Sequence, residues 1–412
     1  MRRATPAPPP SRRRPRLAVL AAVLVAATAT ATAQEPAAGD ALPRFDEYDP
    51  PSTLVVPEHP VARARYPFVD VHSHQPQMPT QDLAALLSQM DELNMAVMVN
   101  LSGRGFRTIE RPDGSRDFDV QADAHLRESL ANVARAAPGR VVVFTNVSWE
   151  GFGTPEWTAT AVRQLEADVA AGARGLKIYK SFGLTVRDQA GQRVAVDDPR
   201  IDPLWRRCGE LGIPVLIHTA DPAPFWQPKD ADNERLLELV ERPERWWAGR
   251  DAPPWEQLIA EQANLFRRHP QTQFIAAHLM WLGNDLGRLG RLLDELPNVS
   301  TEIGAVLAEL GRQPRAAREF FVRYQDRVLF GKDSWNPGEY PYYFRVLETA
   351  DEYFDYYRRR HAFWKLYGLD LPDEVLRKLY YGNALRVIPG LDASLFPPLA
   401  GAAPAASAGA GP

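Results

Sequence analysis

The strongest constraint on this chain is a repeat: eight short apolar runs, each followed by a segment whose apolar residues recur at helical spacing. The runs are 68–74, 95–100, 140–145, 175–180, 213–218, 273–278, 299–303 and 328–333. Most are apolar almost throughout, as in strands buried on both faces of a parallel sheet. Helical spacing is read from a threonine cap at Thr80, then over about 122–136, 155–171, 201–211, 254–268, 285–295 and 306–325. An aromatic-rich helical stretch at about 341–366 and a last helix from Pro372 follow. Regular βα alternation implies a parallel sheet, and eight units predict a closed (β/α)8 TIM barrel. A doubly wound open sheet seldom uses so many units, and no glycine-rich phosphate-binding turn follows the first run.

The ends of the 412-residue chain read differently from its centre. Residues 1–33 combine an Arg/Pro-rich start, an apolar run from Leu17 to Ala27 and Ala31-Thr32-Ala33, which is the pattern of a secretory signal peptide. Ser11-Arg12-Arg13 hints at the twin-arginine route, but Pro15 interrupts that pattern, so the general secretory route and a periplasmic or secreted protein are expected. Residues 34–65 read as an extended, proline-rich leader, 66–392 as the catalytic domain with a lid-like insertion at 221–254, and 393–412 as a disordered Ala/Pro/Gly tail. A net charge of −4 with 24% charged residues gives no bias toward nucleic acid or, once the signal is removed, membrane. A small-molecule partner is expected, and a homo-oligomer is compatible with this composition. The single cysteine, Cys208, excludes an internal disulfide and a thiolate-rich metal site, so any metal must use His, Asp or Glu.

The polar residues at the ends of the runs carry the chemistry. His72 and His74 stand at i and i+2 of a strand and so share a face. The fourth run carries Lys177, the fifth ends in His218, the sixth in His278 and the eighth in Asp333. Four of the eight histidines thus fall on one rim, whereas His59, His125, His269 and His361 lie in loops or helices. Barrel enzymes place their chemistry on that C-terminal rim, and imidazole with carboxylate is the donor set of a divalent metal site.

The motifs Val-Asp-Val-His-Ser-His (69–74), Val-Leu-Ile-His (215–218), Ile-Ala-Ala-His (275–278) and Leu-Phe-Gly-Lys-Asp (329–333) together resemble the metal-dependent amidohydrolase superfamily, in its amidohydrolase-related (family 2) branch. Tyr381-Gly382-Asn383-Ala384-Leu385-Arg386 is similar to that family's structural closing element. The resemblance implies one divalent ion held by His72, His74, His218 and Asp333, with His278 as a polariser or a further ligand. Zn2+ is expected, and Mn2+, Fe2+ or Ni2+ also suit these donors. Asp333 would take a proton from a metal-activated water and His278 would bond the developing oxyanion. Lys177 would bridge a second metal if carboxylated; a substrate-facing cation, a role open also to Lys180, or a lysine reaching solvent are the alternatives. The implied activity is hydrolysis of an amide, ester, lactone or related C–N or C–O bond. A lyase acting on a small aromatic or unsaturated acid is the alternative, and a non-catalytic metal-binding barrel the third reading.

Aromatic residues follow several of these runs. Trp281 and Trp335 are read as pocket walls and Trp149 as a third rim aromatic, whereas Trp246 and Trp247 of the insertion are read as loop packing. Arg104 and Arg107, in the glycine-rich loop after the second run, are candidates to meet a substrate carboxylate.

Overall fold

A computed structural model of the chain describes residues 43–44, 47–110, 116–120 and 123–399. The signal-peptide reading (1–33) and the tail beyond residue 399 lie outside the described residues. The chain before Thr53 forms a unit of its own, in which the Glu47 and Tyr48 amides donate to the Arg44 carbonyl. Among the described residues every strand lies in the second unit, from Thr53. Among the described residues no helix is long and apolar enough to cross a membrane.

The strands are β1 (Phe68–His74), β2 (Met95–Asn100), β3 (Phe106–Glu110), β4 (Arg116–Val120), β5 (Val141–Val143), β6 (Thr145–Asn146), β7 (Leu176–Ile178), β8 (Val215–Ile217), β9 (Phe274–Ala276), β10 (Val299–Glu302), β11 (Val328–Leu329) and β12 (Asp333–Ser334). The antiparallel pair β3–β4 is the small hairpin in the glycine-rich loop. The other ten form two parallel sheets, ordered β12-β1-β2-β5 and β11-β10-β9-β8-β7-β6. β5 and β6 are halves of one barrel strand broken at Phe144, and β11 and β12 are halves of another. Joining the halves closes the ring, so the eight apolar runs form a (β/α)8 barrel.

Phe144 shows why the strand breaks. Its amide still donates to Asn100 of β2, while the next amide, of Thr145, donates to Gly175 before β7. Its buried ring lies where a Cβ on Gly175 would stand, 2.5 Å away, so only glycine permits that crossing. The helices cover the barrel with one apolar face each: Leu83, Leu86, Met90 and Leu93 are the buried positions of Leu83–Leu93.

Four sequence expectations change. The first helix is capped by Asp82, whose side chain accepts from the amides of Ala84 and Ala85, rather than by Thr80. The helix expected over 306–325 is two, Leu307–Gly311 and Pro314–Arg323, because Pro314 must start a helix and cannot continue one. Of the aromatic stretch 341–366 only Tyr340–Glu348 is helical. Beyond it Phe354 and Leu366 exchange backbone hydrogen bonds across an irregular excursion. Finally, the packed chain runs past residue 393: Phe396 is buried and stacks on Tyr381 at 5.1 Å.

Candidate metal centre

β1 carries two ligand candidates on its last three residues, and its own Asp70 fixes their backbone. The buried Asp70 carboxyl accepts from the His72 amide (2.9 Å), the Lys332 amide (3.1 Å) and the Tyr340 hydroxyl (2.6 Å). It thereby clamps the end of β1 to the residue before Asp333. Burial pushes its pKa up to about 7, against the lowering effect of those three donors.

At the strand tips, His72 Nε2 and His74 Nε2 lie 3.4 and 3.6 Å from Asp333 Oδ1, and the three form one group able to hold an ion. Their outer nitrogens are already committed. His72 Nδ1 bonds Glu302 Oε1 at 3.0 Å and His74 Nδ1 bonds Ser102 Oγ at 2.8 Å. With Nδ1 protonated toward Glu302, His72 keeps its Nε2 lone pair for a metal, the usual arrangement around ligating histidines. Burial, then the charge of Lys177, holds His72 well below the ordinary histidine range. Burial also lowers His74, to about 4. Burial opposes ionisation of Asp333, but His72, His278, His74 and Lys177 outweigh it and hold its carboxyl below the usual carboxylate range.

His218 and His278 stand on the same rim. His278 Nδ1 bonds the Gly304 carbonyl at 2.7 Å and, facing an acceptor, must be protonated there. Its Nε2 lone pair then faces His218 Nδ1 at 3.3 Å. Among the described residues His218 Nε2 is buried without a hydrogen-bond partner, and Asp221 Oδ1 lies 3.9 Å from it. Burial, reinforced by His278 and Lys177, keeps His218 well below its ordinary pKa. Neutral, closely spaced imidazoles beside an ionised Asp333 suit a divalent cation, so the residues present fit one.

The backbone here is unusual. His278, Leu279, Met280 and Trp281 all have positive φ (57°, 53°, 55° and 54°), a left-handed turn made without glycine. Asp333 also has positive φ, 84°. Such conformations cluster at functional sites.

Two groups of this centre were not singled out in the sequence, Glu302 and Asp70. Glu302 is fully buried; besides His72 it accepts from the His278 amide (2.7 Å) and the Gly304 amide. Gly304 and Gly331 make its room, since a Cβ on either would lie 2.7 and 2.3 Å from Glu302 Oε2.

The remaining candidates fall out as follows. Lys177 is buried, with Nζ 3.4 Å from His72 Nε2, and burial lowers its pKa to about 8. Lys180 is instead paired with Asp221 (2.7 and 2.8 Å), which also accepts from Trp247 and so anchors the insertion. Trp281 stacks on His278 at 4.5 Å and walls the site cavity. Trp335 packs edge-on against Tyr340. Trp149 stacks on Phe182. Arg104 does not line the cavity of His218, His278 and Asp333; its buried guanidinium is held by Asp168 (3.1 Å) and Asp123. Arg107 pairs with Asp119 in the β3–β4 ladder, and its side chain lies outside the described part of the structure.

The fold is a barrel whose rim gathers His and Asp side chains that could hold a metal ion. Residues 58–390 match the family described as Amidohydrolase (Amidohydro_2), and the chain belongs to it; its members are metal-dependent enzymes. No curated protein matches at a significant level. Among solved structures, a TIM-barrel protein from Bordetella bronchiseptica is 16% identical, with 78% of this chain and 97% of that one covered and a TM-score of 0.45. A 2,6-dihydroxybenzoate decarboxylase is 15% identical (78% and 99% covered, TM-score 0.48). The 4-oxalomesaconate hydratase of Rhodopseudomonas palustris is 14% identical (80% and 97% covered, TM-score 0.47).

Proposed function

We propose that the protein is a metal-dependent hydrolase acting on an amide, ester, lactone or related C–N or C–O bond of a small molecule. The convergence of His72 Nε2, His74 Nε2 and Asp333 Oδ1, with Asp333 also lining a rim cavity beside His218 and His278, carries this reading. His218, and His278 through Nε2, complete the candidate donor set. A divalent ion there would supply Lewis acidity, polarising a carbonyl and lowering the pKa of a water to about 7. Zn2+ suits the ligands best, with Mn2+, Fe2+ or Ni2+ as the alternatives.

The residues divide the remaining work. Asp333 turns Oδ1 to the histidines, leaving Oδ2 to take a proton from the attacking water and deliver it to the leaving group. As a strongly acidic carboxyl it accepts that proton only from an activated donor. His278, its Nδ1 proton committed to Gly304, offers a lone pair when neutral. It therefore acts as ligand or proton acceptor, and bonds an oxyanion only after gaining a second proton. Trp281 shields the imidazole face from water.

A lyase is the second reading, favoured by Lys180, Arg245 and Arg358 in the cavity wall, which suit a carboxylate-bearing substrate. The decisive experiment is metal analysis of the purified protein, then a screen of amides, esters, lactones and aromatic acids. Hydrolysis products support the first reading; carbon dioxide release or water addition replaces it with the second. His218→Ala should abolish metal binding, and Asp333→Asn should impair turnover more than folding; a fully active variant of either overturns the site. One metal per chain, unchanged in Lys177→Met, is expected, and two equivalents lost on that substitution would instead show a carboxylated bridge. The signal-peptide pattern of residues 1–33 supports an exported enzyme.

A further inference from the structure

The inner cavity, about 130 Å³, holds His218, His278 and Asp333, and an outer one of about 790 Å³ leads to it. The two share four residues: Arg245, Asp333, Arg358 and His361. A molecule moving from the outer space to the ligands therefore passes these side chains. Arg245 comes from the insertion after β8, and Arg358 and His361 from the excursion after Tyr340–Glu348, neither part of the βα repeat.

Resting on the metal-dependent reading above, we propose that Arg358 is a specificity-determining residue that selects substrates carrying a carboxylate remote from the reacting bond. Its guanidinium is pinned on one side only. Nη2 donates to Ser334 Oγ at 3.0 Å and lies 3.4 Å from Glu339 Oε2, while the group sits over the Tyr357 ring, 5.4 Å from its centroid. Lys332 already takes Glu339. Among the described residues no protein acceptor takes the Nε or Nη1 hydrogens. Ser334 directly follows Asp333, so these donors face the passage one residue from the metal-binding carboxylate. An arginine keeps its charge at any working pH and offers paired donors matching a carboxylate.

The surrounding charge points the same way. Arg245 is matched by Glu238, which also takes Arg235 and lies 3.4 Å from His361. Around the inner cavity four cations (Lys180, Arg235, Arg245, Arg358) face three carboxylates (Asp221, Glu238, Asp333). One of those carboxylates is the metal ligand Asp333, so a cation taken up there leaves the wall with excess positive charge. A substrate bound at both points would place its reacting bond near Asp333 and its distal carboxylate on Arg358.

The test uses the full-length, metal-loaded protein with isophthalate, benzoate and benzamide as dianionic, monoanionic and neutral probes built on one benzene ring, binding being read by calorimetry. The wild type should bind isophthalate about tenfold or more tighter than benzoate, the size of a charged hydrogen bond. Arg358→Gln should shrink that ratio to about twofold, with Arg358→Lys intermediate and metal content unchanged in both. A ratio untouched by Arg358→Gln, or no dianion preference in the wild type, overturns the proposal while the metal reading stands. A wild type that takes up no metal overturns both.

Discussion

Glu302→Gln tests whether one buried carboxylate organises the centre. Oε1 accepts from His72 Nδ1 (3.0 Å) and the His278 amide (2.7 Å), and Oε2 from the Gly304 amide. Glutamine offers only one acceptor oxygen, so its NH2 must face a donor in either orientation. Placed toward Gly304, it loses a bond between an amide and a charged group, a cost of about 1.5–3 kcal/mol. Placed toward His72, it drives the imidazole proton to Nε2 and removes the lone pair meant for the metal. Sliding away offers no relief, because Gly304 and Gly331 already leave room for nothing larger than the present carboxylate.

The favoured outcome is the first orientation with a weaker ligand, since a neutral acceptor polarises His72 less. Metal affinity should then fall about 10–100-fold, as when outer partners of ligating histidines are replaced. Competition with a chromogenic chelator reads the affinity, and urea unfolding of the metal-free protein reads the stability. An affinity within about twofold of wild type, with a stability loss under about 0.5 kcal/mol, would refute the reasoning.

Two other perturbations address the same rim. Gly331→Ala, whose Cβ would lie 2.3 Å from Glu302 Oε2 and 2.9 Å from the His72 Cβ, should destabilise the protein by about 1–3 kcal/mol and weaken metal binding; chelator competition showing unchanged affinity would contradict it. His361 has its pKa lowered to about 4, by burial acting against the attraction of Glu238. The folded state thus binds fewer protons than the unfolded one between about pH 6.5 and 4, and the stability this group contributes above pH 6.5 is lost as pH falls through that window. The shift amounts to about 2 kcal/mol between pH 7.5 and 5. In chelator-treated samples, where the ligand histidines titrate alike in both proteins, His361→Gln should lose about that much less than wild type over the interval. Parallel curves would show that His361 is not held neutral.

The barrel was legible because strands buried on both faces must be apolar, and four rim histidines with Asp333 could be placed by counting residues to the ends of those runs. Glu302 escaped for the same reason. It sits one residue inside the run read as 299–303, whose last residue is Ile303, although the strand itself ends on Glu302, and its partners are a backbone amide and a histidine from other strands. Gly304 and Gly331, both beside strand ends, were the available signal. The partners of Arg104 were not legible because its carboxylates, Asp123 and Asp168, come from two different helices. The stretch 341–366 imitated a helix because Tyr356, Tyr357 and Trp364 follow an irregular path against the core, so aromatic spacing reflects packing and not a helical face.

The left-handed turn His278–Trp281 explains why Glu302 has to be where it is. Each non-glycine residue in that conformation costs roughly 1–2 kcal/mol, so four cost on the order of 4–8 kcal/mol. Leu279 and Met280 are buried, which returns about 1.5–3 kcal/mol each. The bond from the His278 amide to Glu302 contributes about 1.5–3 kcal/mol more. The turn is therefore close to balance, and it holds only while Glu302 accepts that amide. Because the same oxygen also accepts from His72, the carboxylate couples His72 of β1 to the turn that carries His278. A change at Glu302 should consequently disturb both histidines together, whereas a change at Ser102, which bonds His74 and neither His72 nor His278, should not reach His278.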